Sequence, residues 1–270
     1  MADASQTLGI YRRLVGARLR SDLQYRTSFV LFLAAQSLVG GAEFASIAVI
    51  FSQLDALAGW SVAEVAFLYA LSGLAFGIGD LFISQVETAS DHIKAGTFDR
   101  FLIRPLGTLL QLSAMEFAPR RLGRSLQPIV VLAVALTQIG VEWTPAHIAL
   151  VPVTLASGVA IFGSIWVLTS SLAFWTVETQ EIANSFTYGG NTLTSYPIDV
   201  FGSVLRRIVI FVVPLAFVSY LPAADLLDKP VPYGLPRGAG WAGPFVAAAL
   251  VLLARAVWRL AVRHYQSTGS

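Results

Sequence analysis

Lys94-Ala-Gly-Thr-Phe-Asp-Arg-Phe-Leu-Ile-Arg-Pro-Leu106 carries four charges in thirteen residues, with long apolar stretches on both sides. It does not belong in hydrocarbon, because a Lys, Arg or Asp at a bilayer centre costs about 2.5–3.5 kcal/mol. Phe98, Phe101 and Leu102 form an apolar face, with Lys94, Asp99, Arg100 and Arg104 left to water. The segment reads as a short amphipathic element pinned between membrane spans, a surface for another protein to push against.

The flanks set the class. Of 270 residues, 56% are hydrophobic and 13% charged, and the mean hydropathy is +0.68. Soluble domains carry about 25% charged residues, so this is the composition of an all-α polytopic membrane protein. The absence of cysteine excludes disulfides, iron–sulfur clusters and thiol catalysis. Arginines outnumber lysines sixteen to two in an Ala-rich chain, a bias typical of GC-rich bacterial genomes.

Upstream of the opening stretch, apolar runs at 29–53 and 62–86 are each long enough to span, since about 20 residues cross a bilayer core. The turn between them, 54–61, has Asp55 as its one charge. Before them, residues 1–28 place Leu8, Tyr11, Leu14, Val15, Leu19 and Leu23 at helical spacing among five arginines. That pattern predicts an interfacial amphipathic helix, not a cleaved leader. Downstream, 106–118 is too short to cross, and further spans are expected at 125–141, 147–175, 201–220 and 241–258. The fifth holds Pro214 and is preceded by a polar stretch, 177–199, read as lying outside the membrane. A Pro- and Gly-rich stretch at 222–240, with a short helix over 223–227, precedes the sixth. Trp60, Trp143, Trp241 and Trp258 read as interface anchors. One transmembrane domain over 29–270 follows, with the amphipathic helix before it.

Six spans put both termini on one side. Sixteen of the eighteen basic residues then share that side, and only Lys229 and Arg237 lie opposite. The positive-inside rule makes the basic side cytoplasmic.

Several chemistries are missing. Neither Lys94 nor Lys229 follows a glycine, so no P-loop cradles nucleotide phosphates. Zinc-protease and nucleophile-elbow motifs are absent, and His92, His147 and His264 are too dispersed to suggest a metal site. Two acids fall inside spans, Glu43 and Asp80. Intramembrane acids either line a pathway for a polar or cationic substrate or make a structural pairing. Asp80, near the basic end, leans to pairing with an arginine; for Glu43 the two readings stand level. Gly73 and Gly77 form a G-x-x-x-G, a helix-packing signal.

Residues 94–106, and Tyr196-Pro-Ile-Asp-Val-Phe through Val213-Pro-Leu-Ala-Phe-Val-Ser-Tyr-Leu-Pro222, resemble a bacterial family of type-two ABC exporter permeases. With the six-span layout, the likeness covers nearly the whole chain. The resemblance implies two permease subunits, identical or related, working with separate ATPase subunits that hold ATP and Mg; this chain carries no cofactor. It implies a coupling helix within 87–104, with Asp91, Lys94, Asp99, Arg100 and Arg104 as polar contacts to the ATPase and Phe98 and Phe101 as an apolar anchor. It also implies a second, smaller contact at Glu178 and Glu181, a re-entrant segment at 222–240, and a connecting helix at the N-terminus. Membrane lipids are partners and nucleic acid is not. A secondary transporter or a membrane scaffold is the competing reading.

Overall fold

In the computed structural model the described residues are Gly9, Gly16, Arg20, 24–104, 106–115, 119–176 and 180–265. Almost all of the expected N-terminal amphipathic helix, and Glu178, lie outside them. Within the described residues the chain is helical and forms no β-sheet.

Among the described residues four helical segments are long and apolar enough to cross a membrane: Arg26–Phe51, Val62–Phe82, Pro145–Phe174 and Ala239–His264. The helices α1 (Arg26–Phe51) and α2 (Val62–Phe82) account for the first two. A capping box starts α2: the Ser61 hydroxyl accepts from the Glu64 N–H, and the Glu64 carboxylate accepts from the Ser61 N–H. These bonds satisfy two donors that would otherwise be orphaned at a helix start. At the basic end lie α3 (Ala89–Lys94), α4 (Asp99–Leu102) and α5 (Thr108–Met115), followed by α6 (Gly123–Gln138). Helix α7 (Pro145–Ser171) begins with Pro145 behind the Thr144 cap. Next come α8 (Gln180–Thr194), α9 (Ser203–Arg207), α10 (Tyr220–Leu226) and α11 (Gly243–His264).

The G-x-x-x-G packs inside the chain, against α6. A Cβ on Gly77 would come within 2.5 Å of the Ser125 hydroxyl, and one on Gly73 within 3.0 Å of the Pro128 ring. Small residues there let α2 and α6 approach backbone to backbone.

Two stretches differ from the sequence expectation. The polar stretch at 177–199 is not an outer loop: α8 occupies 180–194 and packs on α2 and α7. Ser72, at the middle of α2, donates to Asn191 Oδ1 at 3.0 Å and shares a 2.5 Å contact with the Thr194 hydroxyl. Thr187 and Thr194 bond back to the carbonyls of Ala183 and Gly190, each at 2.9 Å. Polar side chains satisfied in this way enter a bundle interior at little cost, and hydropathy alone does not register that.

The second difference is at 201–220, expected as one continuous span. Helix α9 runs into a π-turn at Ile208–Val212, breaks at Val213-Pro214, and resumes as a 3-10 turn at Leu215–Phe217 before α10. Pro214 has no N–H to continue a helix. Leu215 sits against Gly190, and Val218 against Gly158 near the middle of α7. Beyond α10, Lys229 pairs with Glu64 at 2.8 Å at the start of α2. The segment therefore dips to mid-bundle depth and returns to the end it came from. Its inner turn is pinned where the Ser219 hydroxyl donates to the Thr194 carbonyl at 2.6 Å.

Of the four tryptophans read as anchors, Trp143 and Trp241 are exposed. Trp60 and Trp258 are buried, Trp60 beside Tyr220 with ring centres 5.5 Å apart. Their ring area found protein partners in place of the interface.

Candidate functional site

The opening stretch folds at the basic end as a small, tied structure. Gly96, at φ +65°, ends α3 in the left-handed region that favours glycine. The N–H groups of Thr97 and Phe98 both donate to the His92 carbonyl, at 2.9 and 3.2 Å. Gln111 on α5 donates to the carbonyls of Phe101 at 2.9 Å and Leu106 at 2.6 Å, tying the far side. Phe98 is wholly buried and Phe101 nearly so, in a cluster with Val86, Leu112, Val167 and Trp258. The Phe98 ring meets Phe174 at 5.1 Å and Tyr265 at 5.0 Å, and Trp258 Nε1 donates to the Thr108 hydroxyl at 3.0 Å.

This corrects the picture of an outward apolar anchor. Phe98 and Phe101 face this chain's own core, because two large rings on a short amphipathic turn bury more area against α7 and α11 than water would allow them to show. The outward surface comes from their neighbours. Asp91, Lys94, Arg100 and Arg104 are exposed, Asp99 is half-buried, Leu102 is exposed and Ile103 is 84% exposed. Ile103 was not singled out in the sequence, although an apolar residue between two arginines at a loop tip is a legible signal. Glu181 is exposed in the first turn of α8.

Behind this tip lies a charge network. Asp80 is buried, and Arg121 binds its Oδ1 at 2.5 Å while Arg124 approaches Oδ2 at 3.4 Å. Arg121 also donates to the Ser84 hydroxyl. The Arg124 guanidinium lies over the rings of Tyr188, at 5.3 Å, and Phe76, at 5.6 Å. Asp80 is thus paired with arginine, as its position near the basic end suggested. Alongside, Trp166 Nε1 donates to Glu87 Oε1 at 2.6 Å. Burial pushes the Glu87 carboxyl above the ordinary range, opposed by that hydrogen bond and by Arg121. Sequence reading missed Glu87, Arg121 and Arg124 as a group. The available signal was an acid late in one span and an Arg-x-x-Arg opening a later one.

Glu43 has a different setting. It lies on the exposed side of α1 and lines a crevice of about 90 Å³ between α1, α2, α6 and α8, with Gln36, Tyr69, Gln127 and Asn191. The Tyr69 hydroxyl reaches the Gly40 carbonyl at 3.1 Å and Gln127 Oε1 at 3.0 Å. Among the described residues no cation pairs with Glu43. Arg124 also lines this crevice, so a carboxylate and a guanidinium both border a polar opening in a wall of apolar helices, a lining suited to a polar group.

Among the described residues, a helical body with four apolar helices of membrane-crossing length has the features of a multi-pass membrane protein. The chain belongs to the ABC-2 family of transporter proteins, whose family model matches residues 38–269. No curated protein and no solved structure matches it.

Proposed function

We propose that this chain is the membrane-spanning permease of an ATP-driven exporter in a bacterial cytoplasmic membrane, paired with a second permease and with separate ATPase subunits that bind ATP and Mg. The observation that carries the reading is the family match over most of the chain, and the absence of a P-loop is consistent with that division of labour. In this reading α6, lengthened by the turn at Pro119–Leu122, and α8 complete a set of six crossings. The dipping segment from Ser203 to Leu226 is the re-entrant element, upstream of where the sequence suggested it. Both termini and the tip around Ile103 face the cytoplasm, as the arginine bias requires.

The coupling surface in this proposal is the exposed rim Asp91, Lys94, Asp99, Arg100 and Arg104 with Leu102 and Ile103, carried on the buried base of Phe98 and Phe101. An apolar residue ringed by charges is a suitable hot spot for a groove on the ATPase. Glu181, together with Glu178, supplies the smaller second contact. ATP-driven closure of the ATPase pair moves the rim, and the aromatic cluster passes the movement to α7 and α11. Glu43 lines the pathway, and Asp80 holds α2 to the start of α6.

Tagged protein, solubilised in mild detergent from its own host, tests the assignment by mass spectrometry of what accompanies it. A P-loop ATPase that is lost on Ile103→Asp, with the permease yield unchanged, supports it. A preparation that keeps other membrane complexes intact yet brings down no ATPase would falsify it.

A further inference from the structure

Helix α11 carries Arg255, Arg259 and Arg263, one per turn, and all three are exposed. Residues four apart share a helix face, so the three guanidiniums form a column about 12 Å long. The opposite face is committed elsewhere: Ala247, Ala254, Trp258 and Ala261 are buried. Among the described residues no carboxylate pairs with any of the three arginines. The column also stands among apolar side chains. Leu260 is exposed beside it, and Phe245, Leu252 and Leu253 are exposed toward the start of the helix.

The surface is therefore apolar along its first half and cationic along its second. We propose that it is a binding site for an anionic phospholipid of the membrane, with the acyl chain on Phe245 and Leu252 and the headgroup phosphate held by Arg255, Arg259 and Arg263. Charge complementarity selects the occupant. Unpaired arginines next to lipid-facing leucines are costly unless an anion meets them, and each arginine near an anionic leaflet strengthens binding about fivefold. The positive-inside rule accounts for cations near this end of the helix. It does not require three in register on one face above an apolar strip. Arg255, nearest that strip, has to reach along the helix for a phosphate, as long basic side chains do.

The test uses the full chain with its accompanying subunits in nanodiscs of phosphatidylcholine and phosphatidylglycerol in equal amounts, and native mass spectrometry of the lipid that stays bound. Wild type should retain phosphatidylglycerol over phosphatidylcholine. The triple variant R255Q/R259Q/R263Q should lose that preference by about a hundredfold, the triple Lys variant should keep most of it, and R237Q, at the other end, should not change it. Among single variants R255Q and R259Q should weaken retention more than R263Q. Circular dichroism checks that helix content is unchanged. Equal retention in wild type and the triple Gln variant overturns the proposal. So does a triple Gln variant that sheds a protein subunit while its lipid preference stays intact, which would assign the column to carboxylates of a partner.

Discussion

Asp80 and Glu43 are the same kind of sequence signal, an acid inside an apolar helix, and the structure gives them opposite surroundings. Asp80 is buried and bound by two arginines across α2 and α6. Glu43 borders a crevice, and among the described residues no cation pairs with it. A buried ion pair is weak evidence for stabilisation, because desolvation consumes most of its Coulomb energy, yet removing one partner leaves costly uncompensated charge. An acid without a partner does little for the fold and is free for function. The partner, not the residue type, separates the two settings.

The largest effects should come from breaking the satisfied end of the molecule. Asp80→Ala strands two arginines and should cost about 3–5 kcal/mol, whereas Glu43→Gln should stay within about 0.5 kcal/mol and lower transport instead. Thermal unfolding in detergent, set beside transport in proteoliposomes, reads both; a reversed order breaks the comparison. Phe98→Ala empties a fully buried site and should also cost about 3–5 kcal/mol. Ile103→Ala, on the exposed tip, should leave stability within about 0.5 kcal/mol.

Smaller effects sharpen the boundary between the regions. Trp166→Phe removes the indole donor to the Glu87 carboxylate and should cost about 1–3 kcal/mol, most of it recovered by adding Glu87→Gln. The folded pKa of Glu87 lies above its ordinary 4.5, so folding favours its protonated form. Its contribution is greatest below pH 4.5 and declines as pH rises through the folded value. Glu87→Gln should flatten that slope in unfolding measured against pH. Ser72→Ala, which loses the bonds to Asn191 and Thr194 in mid-bundle, should cost about 1 kcal/mol.

Hydropathy placed the helices around α1, α2, α7 and α11 to within a few residues, because long apolar runs state their own length. It failed at α8 and at 203–226 for different reasons. At α8, Asn191 and Thr194 are polar letters in the sequence and satisfied hydrogen-bond partners in the fold, and a residue average cannot tell the two apart; at 203–226 an apolar run long enough to cross hides the break at Val213-Pro214. The opening stretch was legible as an amphipathic element, but which way it faced was not. Both faces of a short helix are available until Trp258 on α11, and Phe174 and Tyr265 just past the ends of α7 and α11, are known to supply the other half of a core. Asp80 was half-legible: an arginine partner was foreseeable, and its identity needed the packing of α6 on α2.

The most direct test of the coupling proposal is photocrosslinking in native membranes, with a photoreactive amino acid placed at Ile103 in one variant and at Phe98 in another. The account predicts a crosslink from position 103 to a P-loop ATPase and none from position 98, where the side chain meets only its own chain. An ATPase crosslink from position 98 but not from 103 would turn the element around, and no ATPase crosslink from either would remove the tip from the coupling surface.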